Sequence, residues 1–254
     1  MKKILVILLS SLGYLIYSQK ITFTPDIIVF YDSTLKLGEN YKKDQKFVLF
    51  GNSQNYYFGA YQNYLNDTDQ YEPSSGIDLV SISDYFKERV IKSGGITNTF
   101  ISVTSTKIRY QENVNLKWVL YKDTKIIGGV KCQMAATNKY GRRWIAYFSD
   151  EYPVSIGPYK FSGLPGLIFE LYDTRDDYHF TLTKVEKFKK DFDFNLNGFK
   201  LYLKDKYLQA KFNLEFTAAA LPSLEGEMRK NYDEMMKRKQ KRYNNPIELN
   251  PLEN

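Results

Sequence analysis

The sequence predicts a mainly β protein of the α+β class, built on one curved antiparallel sheet or half-barrel meander. Aromatic residues make up 16% of the 254 residues, and Tyr and Phe favour the pleated, half-buried surfaces of strands. Apolar residues recur with a period of two through the middle of the chain, and short polar or glycine-containing turns separate these runs. One short helix in the N-terminal half and a covering helix near the C-terminus complete the predicted architecture.

The N-terminus has the three parts of a cleavable secretory signal peptide. Two lysines precede an apolar run at residues 4–9, and small and polar residues lead to Ser18. The run is shorter than the roughly 20 apolar residues that a membrane-spanning helix needs. We expect cleavage between Ser18 and Gln19, which removes residues 1–18 and leaves a protein of the periplasm or the extracellular space without an integral membrane segment. An uncleaved N-terminal anchor is the alternative.

In the first half of the expected mature chain, the pattern predicts mostly extended structure. Residues 21–40 are extended with a break at Pro25, residues 47–50 form a buried strand, and the aromatic stretch 56–64 forms another strand. The polar residues 66–76 are expected to form a loop.

The helix of the N-terminal half is predicted at residues 83–92. Ser83 can cap it, and Asp84 complements the positive end of its dipole. Tyr85 and Val90 lie close to one face, and two glycines follow the segment. These features together are typical of a short amphipathic helix.

The second half of the chain is predicted to be a meander that ends in a helix. Strands are expected at residues 118–122, 125–133, 143–148, 167–172 and 178–185, with turns at 123–124, 138–141 and 173–177. Apolar residues recur at helical spacing over residues 224–243, namely Leu224, Met228, Tyr232 and Met235/Met236. We expect this helix to dock on the sheet, so that residues 19–243 form one domain and 244–254 a short tail.

The net charge and the numbers of Cys and His residues exclude several kinds of functional site. The formal net charge is +7, and the excess near the C-terminus is interpreted as the solvated face of the last helix, with no nucleic-acid partner expected. The chain has one Cys and one His, which excludes a zinc finger, an iron–sulfur cluster and an internal disulfide. We therefore expect no metal and no cofactor.

One hexapeptide stands apart from the rest of the sequence. It consists of Gly163, Leu164, Pro165, Gly166, Leu167 and Ile168. Pro165 suits position i+1 of a type II turn, and Gly166 suits the positive φ at position i+2. The segment then enters a core hairpin that turns back at 173–177. It lacks the spacing and the lysine of a phosphate-binding loop.

This hexapeptide is the signature of the GLPGLI family of exported proteins of unknown function, and the resemblance extends along the chain. It includes Trp118, residues 125–128, Cys132, residues 141–147, Pro153, Gly157, Pro158, Phe161, Glu170, Asp173 and residues 245–249. The chain thus resembles this family over nearly the whole expected mature length. The resemblance implies a signal-peptide-bearing protein of Gram-negative bacteria, often encoded beside TonB-dependent outer-membrane receptors, and it implies no activity.

Several residues have a chemical and a structural interpretation. Cys132 is either a reactive thiol or a small buried hydrophobe, and the second is favoured. His179 is either a base, metal ligand or pH switch, or a surface or hydrogen-bonded histidine, and again the second is favoured. The carboxylates Glu170, Asp173, Asp176 and Asp177 suit hydrolysis by paired acids or, more simply, hydrogen bonding in a turn.

Two groups of residues are candidates for ligand binding. Arg142 beside Trp144 can grip a carboxylate or phosphate, although arginines over aromatic rings are also ordinary structural features. Tyr56 and Tyr57 can line a sugar- or lipid-binding surface, and core packing is the plainer alternative.

The favoured function is a non-catalytic binding or carrier protein for a hydrophobic small molecule or lipid-like cargo. A large apolar cavity would support it. The alternative is an accessory protein of an outer-membrane TonB-dependent receptor or of secretion machinery, which needs an exposed aromatic patch. A carboxylate-based hydrolase is the third hypothesis, and it requires Glu170 and Asp173 to converge in a cleft.

Overall fold

The computed structural model of the chain describes residues 20–70, 85–103, 105–221 and 223–253. The expected signal peptide at 1–18 and its cleavage site lie outside the described residues. So do residues 83–84, which were expected to begin the first helix.

Fourteen strands and three α-helices are present in the described residues. The strands are β1 (Lys20–Phe23), β2 (Ile27–Gly38), β3 (Tyr41–Gly51), β4 (Tyr56–Ala60), β5 (Arg89–Ser93), β6 (Ile96–Val103), β7 (Thr106–Glu112), β8 (Val119–Ile127), β9 (Val130–Lys139), β10 (Arg142–Ser149), β11 (Leu167–Asp173), β12 (Tyr178–Lys187), β13 (Phe192–Asn195) and β14 (Phe199–Leu201). The helices are α1 (Tyr61–Asp67), α2 (Lys204–Phe216) and α3 (Gly226–Arg242), with a 3₁₀ turn at Ala218–Ala220.

Twelve of the strands form one large sheet in the order β14-β7-β6-β5-β4-β3-β2-β12-β11-β10-β9-β8. Each neighbouring pair is antiparallel except β14 and β7, and the sheet is curved and unclosed. The sheet consists of two meanders, β2–β7 and β8–β12, joined where β2 pairs with β12. The predicted mainly β, antiparallel architecture is confirmed.

Side chains alternate between the two faces of this sheet. The inner face, which carries Tyr31, Phe47 and Trp144, holds the largest apolar cluster. The outer face carries Phe50 and Tyr57, which pack in a second cluster beneath the separate β1–β13 pair. The rest of the outer face, around His179, is polar. The sheet therefore has two apolar layers at one end and an uncovered polar surface at the other.

The helix predicted at residues 83–92 is wrong, because Arg89–Ser93 is the central strand β5. Val90 and Ile91 are both fully buried, and they pack in the inner and outer clusters respectively. Burial on two opposite faces requires a strand, and this tertiary demand overrides the local capping signal. The helix of the N-terminal half is instead α1, which replaces the second part of the strand predicted at 56–64.

Two predicted turns differ in detail. The β8–β9 hairpin turns at Gly128 and Gly129, with φ of +58° and +84°, and not at residues 123–124, which lie in an irregular part of β8. In the hexapeptide, the positive φ of +93° belongs to Gly163 and not to Gly166. Gly166 is needed for close approach, since a Cβ there would lie 2.0 Å from the carbonyl oxygen of Ser149.

The C-terminal helix is confirmed as α3, but only Met236 on it is buried. Met228 and Met235, from the stripe that was expected to dock, are 67% and 51% exposed. The element that packs on the sheet is α2, through Tyr207 against β7, and the sequence analysis did not predict it. No helix in the described ranges is both long and apolar enough to cross a bilayer.

Candidate functional site

A cavity of about 600 Å³ lies between the inner face of the sheet, the helices α2 and α3, and the C-terminal segment (residues 243–251). Nine aromatic side chains from the described residues line it: Tyr85, Phe86, Tyr110, Tyr159, Tyr178, Tyr207, Phe212, Phe216 and Tyr243. We call this space the aromatic cavity. Its walls come from seven separate parts of the described chain, so it exists only in the folded protein.

The floor of the aromatic cavity is made of buried rings. The rings of Tyr110 and Tyr207 pack with their centroids 4.5 Å apart and their planes inclined at 56°. Phe86 and Tyr159 pack edge to face with their ring centroids 5.6 Å apart. Tyr178 completes the floor and is also buried. Such a surface is apolar over the ring faces and offers few polar groups, which suits the body of a hydrophobic or amphipathic ligand.

Behind the floor, a buried ion cluster fixes the tyrosines. The Lys160 side chain is fully buried and contacts the carboxylates of Glu112, at 2.6 Å, and Glu248. It also donates to the Tyr110 hydroxyl and lies over the Tyr159 ring. Lys204, the first residue of α2, contacts the same two carboxylates at 2.7 and 3.2 Å.

The charges in this cluster are mutually stabilising. Burial by itself lowers the pKa of Lys160, but the carboxylates of Glu248 and Glu112 outweigh it and hold that pKa above its usual value. Burial raises the pKa of Glu248, yet Lys160 and Lys204 bring it below its usual value. Two ammonium groups therefore neutralise two carboxylates, which satisfies the requirement that buried charges be paired.

The C-terminal segment forms one wall of the cavity and is tied to the sheet by Arg142. The guanidinium donates to the carbonyl oxygens of Pro246 and Ile247, at 2.8 and 3.0 Å, and to the Asn245 side chain. Its remaining hydrogen bonds go to the carboxylates of Asp173 and Asp177, at 2.9 and 3.0 Å. The C-terminal segment is thus a structural part of the cavity.

Arg142 and Trp144, predicted as ligand-binding residues, lie together on the inner face but do not line the cavity. Both are buried, and the Arg142 donors are already engaged as described above. Trp144 donates from Nε1 to the Lys139 carbonyl oxygen and packs on Phe161 with centroids 4.6 Å apart. Arg142 acts on the cavity indirectly, by holding its C-terminal wall.

Tyr56 and Tyr57, the other predicted pair, point to opposite faces of β4. Tyr56 is buried in the inner cluster. Tyr57 belongs to the outer cluster, and its hydroxyl donates to Asp67 at 2.8 Å. Adjacent residues of a strand necessarily diverge in this way, so the two tyrosines do not form one surface.

The residues that do line or support the cavity were mostly missed. Lys160 stands between two aromatic residues just before the hexapeptide, and a single lysine in such a run is a usable signal for a paired buried charge. Glu248 lies in the segment 245–249, for which the sequence pattern predicted no contact and no role. Tyr207 had no signal, because the helix that presents it was not predicted.

The second feature is a shallow groove of about 620 Å³ on the polar part of the outer face. Asp32, Asp44 and Thr181 line it together with His179. The imidazole Nε2 lies 3.0 Å from Glu170, and Nδ1 lies 3.0 Å from Asp176. The hydrogen bond with Glu170 raises the pKa of His179 against an opposing effect of burial. We call His179, Glu170 and Asp176 the His179 cluster.

The predicted carboxylates do not converge. Glu170 points to the outer face, where it also contacts Lys125. Asp173 and Asp177 point to the inner face, where they bind Arg142. Residues separated by an odd number of positions along a strand face opposite sides of the sheet. Glu170 and Asp173, three positions apart on β11, therefore lie on opposite faces. The pair that a carboxylate hydrolase needs is therefore not assembled from these two residues.

Cys132 is buried in the inner cluster, and burial raises its pKa to about 11. The protonated thiol is a poor nucleophile, so the interpretation as a small buried hydrophobe is favoured.

In the ranges that the structure covers, no three His, Cys, Asp or Glu side chains are arranged to hold a metal ion.

Comparison with known proteins gives a likeness of fold. No protein-family model and no curated protein sequence matches the chain. Two solved structures of PNGF-II superpose on 76% of the chain with TM-scores of 0.56 and 0.54 and identities of 12% and 13%. The chain spans only 34% of the length of those proteins. At such identities the likeness shows a shared fold alone.

A more distant likeness is to a LolA superfamily protein from Nitrosomonas europaea. The TM-score is 0.28 and the identity 6%, over 66% of this chain and 86% of the other. A score this low supports no conclusion about the fold or the ligand of this chain.

Proposed function

We propose that the protein is a non-catalytic binding or carrier protein whose aromatic cavity takes up a hydrophobic or amphipathic small molecule. The observation that carries the proposal is the aromatic cavity itself, with nine rings around about 600 Å³. Small-molecule sites typically occupy about 300–1,000 Å³ and combine apolar walls with a few polar groups. The buried ion cluster and the Arg142 contacts hold these walls in place, so the site is preformed.

The proposed setting follows from the sequence. The N-terminal pattern favours export, and the resemblance to GLPGLI proteins favours the periplasm of a Gram-negative bacterium. A carrier of hydrophobic cargo has a plain use there, since such molecules cross the aqueous space between two membranes only when shielded from water.

Native mass spectrometry tests the proposal directly. The chain beginning at Gln19 would be purified without detergent from a Gram-negative periplasm. A discrete excess mass that is lost on organic extraction supports the proposal and identifies the ligand. In a second arm, the purified protein is titrated with diphenylhexatriene, an uncharged fluorescent probe. Failure to bind this probe, together with a bare chain mass, would contradict the proposal.

A cavity-filling substitution connects the binding to the site. Leu208 on α2 is half-buried and lines the cavity, so Leu208→Trp is expected to reduce probe binding at least tenfold by occupying the space. Leu203, just before the same helix, is 76% exposed, and Leu203→Trp is the matched control. Equal probe binding by the two variants would place the probe elsewhere.

The accessory-protein alternative is favoured by one observation. Strand β8 lies at the edge of the large sheet and exposes Val119, Leu120 and Ile126 by 57%, 51% and 66%. An edge strand with apolar side chains can accept a partner strand. Under this alternative, an outer-membrane receptor cross-links to the wild type and not to Ile126→Asp.

A further inference from the structure

Two lysines stand at the rim of the aromatic cavity. Lys87 precedes β5 and Lys239 lies in the last turn of α3, and both side chains line the cavity and are half-buried. Lys239 donates from Nζ to the carbonyl oxygen of Glu215 at 2.8 Å, and it lies over the Phe216 ring. Within the described residues, neither ammonium group has a carboxylate oxygen within 4.0 Å.

Most other charged side chains around the cavity form ion pairs, and the lysines there outnumber the glutamates. Lys211 pairs with Glu88, and Glu248 pairs with Lys160 and Lys204. Glu215 adds a carboxylate on α2, within electrostatic reach of Lys239. Among the residues that the structure describes, the cavity and the ion cluster behind it therefore hold five lysines against four glutamates: Lys87, Lys160, Lys204, Lys211 and Lys239, with Glu88, Glu112, Glu215 and Glu248.

The ammonium group of Lys239 lies in an unfavourable electrostatic environment. Burial and the positive charge of Lys87 lower the pKa of Lys239, and Glu215 compensates only in part. A half-buried ammonium group loses hydration, and a neighbouring cation repels it. An anion placed beside both groups removes the repulsion and restores the lost interactions, so it would bind here more tightly than a neutral group of the same shape.

We propose that the ligand of the aromatic cavity is an anionic amphiphile. Its acyl or aromatic body lies on the tyrosine floor, and its carboxylate or phosphate head contacts the ammonium groups of Lys87 and Lys239. This inference rests on the proposed function and adds the charge and the orientation of the ligand. The apolar floor supplies most of the affinity, and the two lysines supply selectivity for the head group.

Displacement of diphenylhexatriene by four amphiphiles of equal chain length tests the inference. Dodecanoate and dodecyl phosphate are the anionic arms, which distinguish a fatty acid from a phosphorylated lipid. Dodecanol is the neutral arm and dodecyltrimethylammonium the cationic arm. We expect the better anion to bind at least tenfold more tightly than dodecanol, the cation to bind most weakly, and salt to weaken only the anionic arms.

The matched variants locate the head group. Lys87→Gln combined with Lys239→Gln is expected to weaken anion binding at least tenfold and to leave dodecanol within twofold. The control combines Lys206→Gln and Lys237→Gln, which change exposed lysines on α2 and α3 and so alter the net charge equally without touching the rim. This control is expected to bind all four compounds like the wild type.

The outcomes separate this inference from the proposed function. Equal binding of dodecanol and both anions by the wild type would overturn the anionic ligand and leave the binding protein intact. This comparison needs no variant, so it holds even if a substituted protein fails to fold. Absence of binding by the probe and by all four amphiphiles would overturn the proposed function.

Discussion

The β11–β12 hairpin carries acidic residues to both faces of the sheet, and the two faces use them differently. On the inner face, Asp173 and Asp177 hold Arg142, and the three side chains are only 1%, 6% and 1% exposed. On the outer face, Glu170 and Asp176 hold His179, and these three side chains are 10%, 61% and 33% exposed. Similar carboxylates a few residues apart thus enter a buried structural cluster or a titratable surface cluster.

The difference teaches that burial, more than residue type, sets the role of a charged group. Buried charges lose their hydration, so removing one partner leaves another unpaired at a large cost. Half-exposed charges keep much of their hydration, so their pairing stabilises little and responds to pH. We expect substitutions on the inner face to lower the free energy of unfolding strongly and substitutions on the outer face to change its pH dependence.

Arg142→Met gives the largest expected effect. It leaves Asp173 and Asp177 buried without their cation and frees the C-terminal segment, and we expect a loss of about 4 kcal/mol in the free energy of unfolding. Urea denaturation measures it. Arg143→Met is the matched control, because Arg143 points to the exposed outer face, and it should cost below about 0.5 kcal/mol. Equal losses in the two variants would contradict the comparison.

Lys160→Met is expected to cost about 3 kcal/mol of unfolding free energy, since Glu112 and Glu248 would share the single cation Lys204. Adding Glu248→Gln restores a neutral pair of Lys204 and Glu112. We expect the double variant to be more stable than Lys160→Met by urea denaturation. A further loss in the double variant would show that packing, and not charge balance, dominates the cluster.

His179→Gln tests the outer face and should cost below about 1 kcal/mol because the pair is partly exposed. The raised pKa of His179 means that its contribution is complete below the usual value of 6.5 and is lost as pH rises through the raised value. Burial raises the pKa of Glu170, but its hydrogen bonds with His179 and Lys125 outweigh this effect and bring that pKa below its usual value of 4.5. The contribution of Glu170 to stability is therefore present above pH 4.5 and is lost as the pH falls through the lowered pKa.

The difference in unfolding free energy between wild type and His179→Gln is therefore expected to be largest between pH 4.5 and 6.5. This difference should fall as the solution becomes alkaline, because the folded protein then loses the imidazole proton that it held more tightly. Urea denaturation at pH values within this window and above it measures the difference. A constant difference at all pH values would show that His179 contributes by packing alone.

Asp176→Asn gives the smallest expected effect. Asp176 is 61% exposed and has φ of +52°, a conformation that Asn also tolerates. The substitution is expected to lower the pKa of His179, since one hydrogen-bonded carboxylate is removed, with no measurable loss of stability. NMR titration reads this pKa without ambiguity because the chain has one histidine. An unchanged pKa would assign the shift to Glu170 alone.

Three of the five strands of the second meander were predictable because their signal is local. The strand predicted at 125–133 is wrong, since it contains the β8–β9 turn at Gly128 and Gly129. Apolar alternation and short turns predicted residues 143–148, 167–172 and 178–185, which lie in β10, β11 and β12. The prediction failed for β5, which carries apolar side chains on both faces and so has no simple alternation. It also missed α2, whose single buried residue, Tyr207, gives no helical stripe.

The candidate site was less predictable than the fold because its residues are distant in sequence. Arg142 was singled out, but its role as the anchor of residues 245–247 depends on a contact across more than 100 positions. Tyr56 and Tyr57 were grouped because they are adjacent, and the pleat of β4 separated them. Nothing in the sequence placed Lys87 near Lys239.

The sequence by itself determined the β-rich class, most strand positions of the second meander, the C-terminal helix and the core hairpin, since these follow from side-chain alternation and turn residues within a few positions. Only the tertiary structure decided which charges are buried, which face each carboxylate occupies and where the aromatic cavity lies. The physical reason is that burial and pairing depend on all the surrounding chain. Residues such as Lys160, Glu112 and Glu248 acquire their partners only when the two meanders, α2 and the C-terminal segment pack together.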